Sequence, residues 1–376
     1  MCHDGFAARP EMSMAEQPIQ DDLPLLYRHL LPEFFEQSVP VEAFATCSNC
    51  IMVCDDPNRA QLLTKRPYRP DTKCCTFQPD LPNYLVGGLL SSTDPMLEDG
   101  RARMRERIRQ RTGVSPMGVY APRLYNVLYR HGARHGFGRS ITLLCPYYRG
   151  AEGACTIWKF REASCSTWFC KTVSGTAGRD FWSAVKIYLS ASQNALIRYT
   201  MLKAGLKNGE DLIQQFDDPP QDSSYLSAEE IDGLPPPQSE YAAKWEGWGG
   251  DEESYFVQCH EWIERLDRPQ FDAIMGTSQT PLLADLTKKR DLAQRIPERL
   301  GRNDALPFER RNDEIYIVML ADSEITMELP IEFIDTFDGS RTTSEVRRYL
   351  KDETELEIED ELLLTLFQHH VLLEIE

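Results

Sequence analysis

The sequence lacks any apolar run that approaches the roughly 18–20 residues needed to cross a bilayer, so no membrane-spanning helix is predicted. Its first residues do not show the basic and then apolar layout of a secretory signal. It also lacks a P-loop, a glycine-rich dinucleotide-binding motif after a strand, and the HExxH motif of zinc proteases. These absences argue against the common nucleotide-dependent enzymes, and we expect a cytoplasmic protein without a membrane partner.

The sequence also has fewer positively charged than negatively charged residues. The chain has 41 Lys and Arg residues against 59 Asp and Glu, which gives a formal net charge of −18. Because such a balance repels a phosphate backbone, we expect no nucleic-acid partner. The 376 residues are 41% apolar and 10% aromatic, values typical of a folded globular protein with room for two or three domains.

Much of the positive charge falls in one short stretch. Arginine occupies alternate positions from Arg101 to Arg111. On a helix, alternate positions spread around most of the circumference, so no single basic stripe results. The pattern favours a solvated helix. A docking surface for an acidic partner, or for the acidic segment from Lys351 to Glu376, is the alternative.

Cysteine, by contrast, is abundant, with eleven residues. A reducing cytoplasm does not maintain structural disulfides, so this density indicates metal or redox chemistry. Cys2 and Cys259 lie apart from the others and are interpreted as non-ligands. We predict that the remaining nine, enough for two four-ligand sites, are metal ligands: Cys47, Cys50, Cys54, Cys74, Cys75, Cys145, Cys155, Cys165 and Cys170.

The spacing of these nine suits a shared metal. The first group is a CxxCxxxC loop, the second is an adjacent pair, and the third runs from Cys145 to Cys170 with nine, nine and four residues between its members. Short intervals let successive thiolates turn onto one ion, and thiolates are soft ligands that suit zinc or iron. We expect an iron–sulfur cluster, with the 4Fe–4S type favoured, or zinc. A disulfide or redox-switch array, or free thiols packed as small apolar side chains, are the alternatives.

Aromatic residues accompany the cysteines and would exclude water from a metal centre, which protects a cluster or tunes its potential. They are Phe77, Tyr147, Tyr148, Trp158, Trp168 and Phe169. The CxxCxxxC spacing reverses the CxxxCxxC of radical S-adenosylmethionine enzymes, and no partial barrel is evident in the sequence.

The third cysteine group resembles that of a known family. It opens with Cys145 in a Cys-Pro-Tyr step, continues with Cys155 in a Cys-Thr-Ile-Trp step and Arg161, and closes with two cysteines. This order is similar to the second half of the YkgJ-like cysteine-cluster proteins, which are described as zinc- or iron-chelating. The adjacent pair Cys74–Cys75 matches the end of that family's earlier cluster, whereas the CxxCxxxC group lies well ahead of it and the proline that usually follows the arginine is missing. The resemblance covers residues 45–171 and implies a metal centre held by these cysteines.

Periodicity organises the N-terminal half of the chain. Residues 1–40 are predicted to form a leader and a helix, with the helical spacing of Leu23–Phe34 broken by Pro32. Residues 41–206 are predicted to form a mainly helical metal-binding domain. This domain includes a long amphipathic helix over Phe181–Leu202 that stops at Gly205.

Composition changes sharply after that helix. Residues 207–254, rich in proline, glycine and acid, are predicted to form a loop-like connector. The aromatic cluster of Tyr241, Trp245 and Trp248 indicates that part of the connector packs on something. Residues 255–305 are predicted as a short helical segment.

Residues 306–376 are predicted to form a small winged-helix-like domain, which makes the whole chain α+β. The expected elements are strand Glu314–Leu320, helix Pro330–Phe337, a turn at Asp338–Gly339, a helix capped by Thr342 and Glu345, helix Glu359–His369 and strand Val371–Ile375. This segment resembles the PqqD-like winged-helix domains, relatives of which bind leader peptides of ribosomally made, modified peptides. The resemblance implies a protein or peptide partner; an acidic winged helix with a structural role is the alternative.

No catalytic residue is predicted. His131 and His135 have helical spacing, but the glycines between and after them favour a loop. The pairs Gly87–Gly88 and Gly249–Gly250 are interpreted as turns, and Cys259–His260 as a core residue followed by a surface residue. Asp55 and Asp56, beside the first cysteine group, are interpreted as turn residues.

Two functions fit this sequence. The first is a metal-binding protein with a peptide- or protein-recognising tail, acting as an accessory or maturation factor. The alternative is an iron–sulfur oxidoreductase that modifies a peptide or protein substrate. The sequence leaves open whether the protein is an enzyme. The two functions differ in one observable, because a catalytic centre keeps an open coordination position whereas a structural one is closed.

Overall fold

A computed structural model describes residues 17–39, 52–53, 68–150, 153–169, 174–206, 226–320 and 325–375. In these ranges the protein is α+β: helices dominate, and the strands are short and form small antiparallel sheets. None of the helices described there is both long and apolar enough to span a membrane.

The secondary-structure elements have the following bounds. The α-helices are Asn83–Ser91, Glu98–Gln110, Arg123–Gly136, Ala163–Ser166, Gly175–Lys203, Ala228–Ile231, Gln238–Trp245, Glu252–Glu264, Arg268–Met275, Gln279–Gln294, Ile331–Asp335, Thr343–Thr354 and Asp360–Gln368. The 3-10 helices are Ile19–Asp22, Leu25–His29, Glu33–Glu36, Pro95–Leu97, Ile141–Leu143, Trp158–Phe160, Glu246–Trp248 and Gly276–Ser278. The strands are Gln17–Pro18, Ser38–Val39, Leu81–Pro82, Val114–Ser115, Gly118–Val119, Tyr148–Arg149, Ala154–Cys155, Leu300–Arg302, Phe308–Arg310, Ile315–Leu320, Ile325–Pro330 and Leu372–Glu374.

A close contact between helices Asn83–Ser91 and Glu252–Glu264 lies in the larger hydrophobic core. Every residue of the first helix except Ser91 is buried, as expected for a helix that is apolar around most of its circumference. A Cβ atom added to Gly87 would lie 1.8 Å from the carbonyl oxygen of Phe256, so only glycine allows this approach. The interpretation of the Gly87–Gly88 pair as a turn is therefore wrong. These glycines are helical, and their missing side chains make room for a neighbouring helix.

The long helix predicted over Phe181–Leu202 is confirmed, although it begins earlier and runs over Gly175–Lys203. Its predicted stop at Gly205 is also confirmed. Gly205 has a φ of +75°, and the N–H of Leu206 donates to the carbonyl oxygen of Met201 at 3.3 Å. This is the left-handed closure that favours glycine after a helix.

The connector contains more helix than its composition suggests. Two short helices form in it, Ala228–Ile231 and Gln238–Trp245. The side chain of Trp245 is fully buried, with its ring edge-on to those of Tyr255 and Phe256. The packing predicted for the aromatic cluster is thus confirmed, and the loop prediction is wrong here because burial of a large aromatic side chain outweighs the local proline and glycine content. The first part of the connector lies outside the described residues.

The interruption predicted at Pro32 is confirmed. In place of one helix, the segment forms the 3-10 helices Leu25–His29 and Glu33–Glu36, and Pro32 immediately precedes the second. Tyr27 and Phe35 from this segment are fully buried in the larger core.

A second hydrophobic core gathers the C-terminal elements. Strands Phe308–Arg310, Ile315–Leu320 and Ile325–Pro330 form one antiparallel sheet, and Leu372–Glu374 pairs with Leu300–Arg302. The strands and helices predicted here are confirmed to within one or two residues at each end.

The predicted caps and turns of this region are also confirmed. The hydroxyl of Thr342 accepts from the N–H of Glu345 at 3.3 Å, and the Glu345 carboxylate accepts from the N–H of Thr342 at 2.8 Å. At the predicted turn, Gly339 has a φ of +79° and the carboxylate of Asp338 accepts from the N–H of Ser340 at 2.8 Å. Both features depend only on neighbouring residues, which is why the sequence predicts them.

The two cores meet at the start of the long helix. Gly175 has a φ of +57°, and a Cβ atom there would lie 2.7 Å from the carbonyl oxygen of Gln368 and from the ring of His369. The side-chain amide of Gln368 donates to the carbonyl oxygen of Ala293 at 2.6 Å. The last C-terminal helix is thus held against the helix Gly175–Lys203, which also forms a wall of the site described next.

Candidate metal centre

Five of the nine predicted metal ligands line one cavity of about 560 Å³: Cys74, Cys75, Cys145, Cys155 and Cys165. They come from the second and third cysteine groups. All six cysteines of the described ranges, these five and Cys259, are free of disulfides. The other four predicted ligands, Cys47, Cys50, Cys54 and Cys170, lie outside the described residues.

Main-chain hydrogen bonds bring the second and third groups together. The N–H of Cys145 donates to the carbonyl oxygen of Cys75 at 2.8 Å. The segment that carries the adjacent pair is itself anchored, because the carbonyl of Thr76 accepts from the Tyr125 hydroxyl at 2.7 Å and the Thr76 hydroxyl accepts from the N–H of Gly138 at 2.7 Å. The backbone therefore places the segments that carry Cys75 and Cys145 side by side.

A small hairpin sets the position of Cys155. The N–H of Tyr148 donates to the carbonyl of Cys145 at 3.1 Å, which closes a turn, and Tyr148 then pairs with Cys155 across two antiparallel strands. The N–H and hydroxyl of Thr156 both donate to the carbonyl of Tyr147, at 3.0 and 2.8 Å. Strand pairing on either side of Cys155, rather than a tight metal knuckle, therefore sets its position.

Cys165 sits in the first turn of the short helix Ala163–Ser166. The buried side chain of Glu162 caps this helix, accepting from the N–H of Cys165 at 2.8 Å and from that of Ser164 at 2.6 Å. On the other side, Arg161 donates to the carbonyl of Cys165 at 2.8 Å. The sequence analysis missed Glu162, since glutamate is an uncommon cap and the helix is only one turn long.

Burial favours the protonated form of two of these thiols, those of Cys145 and Cys165. It raises the pKa of Cys145 to about 12, with a further contribution from Cys155. The pKa of Cys165 is raised well above its ordinary value, first by burial and then by Glu162, Cys145 and Cys155. A bound metal cation would reverse this preference, because coordination deprotonates a thiol outright.

Aromatic side chains form much of the cavity wall. Four of the six predicted ones line it: Phe77, Trp158, Trp168 and Phe169. Tyr147 and Tyr148 do not line the cavity; both are buried in the core beside it. Four further aromatic residues line the cavity but were not predicted to do so: Tyr68, Tyr129, Phe137 and Trp182.

The arginine-rich helix Glu98–Gln110 holds the cysteine loop in place. Arg103 donates to the carbonyl of Pro146 at 2.7 Å. Arg107 is 6% exposed and donates to the carbonyls of Tyr120 and Thr112 at 2.6 and 3.1 Å. The solvated-helix interpretation is therefore wrong for Arg107, because an arginine fork satisfies several carbonyls that a loop leaves unpaired.

Two further interpretations need correction. His131 and His135 lie on the exposed helix Arg123–Gly136 rather than in a loop, and they do not line the cavity. Cys259 is fully buried, as predicted, but His260 is not a simple surface residue. Its ring is partly buried, with Nδ1 3.1 Å from the carbonyl oxygen of Tyr84. At His131 the surrounding helix tolerates the glycines, and at His260 contact with the helix Asn83–Ser91 buries part of the ring.

The five thiols fit a soft metal by their chemistry, although they do not form a ready-made coordination shell. Among the described residues, no three His, Cys, Asp or Glu side chains are already grouped to hold one ion. Comparisons of the chain with protein-family models, with curated proteins and with solved structures return no match. The inference about function therefore rests on the cavity and its donor atoms.

Proposed function

We propose that this protein binds a metal centre through cysteine thiolates in the cavity and acts as an accessory or maturation factor for a protein or peptide partner. The observation that carries the proposal is the convergence of five thiols, from two cysteine groups, on one largely aromatic cavity. Structural disulfides do not account for them, since none of the five forms a disulfide. Thiolates as the donor set favour an iron–sulfur cluster, with the 4Fe–4S type first, or zinc.

The four predicted ligands outside the described residues are included in this proposal because residues close to them in the sequence line the cavity. Met52, which lies between Cys50 and Cys54 in the chain, lines the cavity. Phe169, which precedes Cys170, lines it as well. Together with Cys47, these cysteines are the ones we would expect to complete a coordination shell around the five thiols.

The C-terminal region supports the partner half of the proposal. Its antiparallel strands, capped helix and closing strand are what a PqqD-like winged-helix module requires, and that resemblance implies recognition of a peptide or protein. The region packs on the start of the helix Gly175–Lys203, which also lines the cavity through Trp182. A partner bound to such a module would therefore be connected to the metal centre through one rigid helix. We place this activity in the cytoplasm, where free thiols persist.

An iron–sulfur oxidoreductase is the second candidate, and one observation favours it. The cavity of about 560 Å³ falls within the range of small-molecule sites, and Trp158 and Trp168 on its lining are 43% and 49% exposed. A purely structural centre needs neither that volume nor that access.

The deciding measurement is the metal and acid-labile sulfide content, with a visible absorption spectrum, of protein purified without oxygen. Iron with sulfide and a brown colour supports a cluster. If the centre then cycles with a reductant, the oxidoreductase becomes the better candidate. Stoichiometric zinc in colourless protein supports a structural centre and the accessory role. Protein without metal, in which the thiols are oxidised in pairs, contradicts the proposal.

A further inference from the structure

One part of the cysteine cavity is positively charged, against the charge of the chain as a whole. Arg161, Arg179 and Lys186 line the cavity, and its described lining contains no Asp or Glu. The protein carries a net charge of −18, so acids outnumber bases in the sequence by 59 to 41. Arg179 also pairs with Asp180, with 3.9 Å between Nε and Oδ1, so the positive charge of the described lining comes chiefly from Arg161 and Lys186.

Two of the cations share one face of the long helix. Arg179, Trp182, Ser183 and Lys186 recur at intervals of three and four residues and all line the cavity. Arg179 and Lys186 are thus about 10 Å apart along the helix axis, with an indole between them. Lys186 is exposed and, in the part of the chain that the structure describes, forms no ion pair.

The third cation has a different position. The guanidinium of Arg161 lies 3.6 Å from the centre of the Trp158 ring and donates to the carbonyl oxygen of Cys165. It is therefore fixed against the indole of Trp158 and the backbone of Cys165. Lys186 has no such contact with a cysteine segment among its described interactions.

We propose that this cavity also binds a small organic anion with a planar ring. The exposed indole of Trp168 offers a flat apolar surface for the ring, while Lys186 takes its carboxylate or phosphate and Arg179, which also pairs with Asp180, adds positive charge. The inference deepens the proposed function, since the metal would share the cavity with this ligand. A small anion is favoured over an acidic protein because a net charge of −18 repels a large acidic partner.

The test is isothermal titration calorimetry on the full chain as purified, with four probes. Adenosine monophosphate carries a ring and a phosphate, and indole-3-acetate carries a ring and a carboxylate. Inorganic phosphate lacks the ring, and tryptamine replaces the anion by a cation. We expect saturable binding of at least one ring-bearing anion at up to millimolar concentrations, weaker binding of phosphate and none of tryptamine.

A matched pair of variants locates the site. Lys186→Glu and Lys203→Glu change the net charge equally on the same helix, but Lys203 contacts Tyr199 and does not line the cavity. We expect Lys186→Glu to weaken binding of the ring-bearing anion about tenfold or more, because a charged hydrogen bond is replaced by repulsion. Lys203→Glu should leave the affinity unchanged.

Several outcomes would overturn the proposal. They are no saturable binding of either ring-bearing anion, equal binding of tryptamine, or equal effects of the two lysine variants. Loss of metal in Lys186→Glu with unchanged anion affinity would instead assign this lysine to the metal centre. Metal content measured on the same samples separates the two proposals: metal without anion binding rejects only this inference, and anion binding without metal rejects only the metal function.

Discussion

The main-chain N–H of Cys145 donates to the carbonyl oxygen of Cys75 at 2.8 Å, which joins two cysteine groups that are far apart in the sequence. The bond is made by the backbone, so the fold itself holds the two cysteine segments next to each other. Cys155 follows through the hairpin that starts at the same turn. The expected metal would therefore bind to a partly organised site, and its removal should loosen the cavity rather than unfold the whole chain.

The first prediction concerns the thiols. Cys165→Ser should lose metal and lower the melting temperature, because metal binding contributes to folding free energy. Cys259→Ser is the control, since Cys259 is also buried but does not line the cavity. The measurements are metal content per chain and thermal unfolding. Full metal content and unchanged melting in Cys165→Ser would remove this residue from the ligand set.

The second prediction concerns the buried arginine. Arg107→Lys should destabilise the protein by about 2 kcal/mol, because lysine cannot reach the carbonyls of Thr112 and Tyr120 together. Arg109→Lys changes an exposed pair with Glu106 and should cost no more than about 0.5 kcal/mol. Urea unfolding of both variants measures these changes in the free energy of unfolding. Equal losses of stability would mean that the hydrogen bonds of the buried Arg107 guanidinium contribute nothing to stability.

The third prediction concerns the helix contact at Gly87. Gly87→Ala places a Cβ atom 1.8 Å from a backbone oxygen of Phe256, which neither helix can avoid without moving, so we expect a loss of about 2–3 kcal/mol. Gly132→Ala lies in a helix with no atom within 4 Å of the new Cβ and should stabilise by about 0.5–1 kcal/mol. Denaturant unfolding gives both values. A neutral Gly87→Ala would show that the helices separate easily.

The fourth prediction concerns pH. Burial lowers the pKa of His260 below its ordinary value, and this effect outweighs the opposing charges of Glu264 and Glu261. The folded state therefore binds this proton less readily than the unfolded state. The contribution of His260 to stability is complete above the unfolded pKa of about 6.5 and is lost as the pH falls from there towards the lower folded pKa.

A comparison of free energies of unfolding at pH values of about 7.5 and 5.5 checks the sign. The protein should lose more stability on acidification than its His260→Gln variant, which keeps a donor for the Tyr84 carbonyl but does not titrate. Equal losses would show that other groups control this range.

The helix ends that were predicted correctly depend on local residue patterns. The helix that starts with the Thr342–Glu345 capping box and the helix that ends at Gly205 each depend on residues within a turn of one another, and both are confirmed. The errors at Gly87, at Trp245 and at His131 have a common cause. At each of these positions the residue type has a local preference that the structure does not follow. At Gly87 and Trp245 a partner from a distant segment overrides the preference. At His131 the surrounding helix overrides it.

The features of the candidate site also fall into those that the sequence predicts and those that depend on tertiary contacts. The amino-acid sequence by itself determined the supply of thiols, the acidity of the chain and the long helix, because composition and periodicity are properties of the sequence alone. Only the tertiary structure decided that five of those cysteines share a cavity, that Arg107 is buried beneath their loop, and that Arg179 and Lys186 face the same space. Such convergence depends on which distant segments pack together, and spacing along the chain carries no information about that.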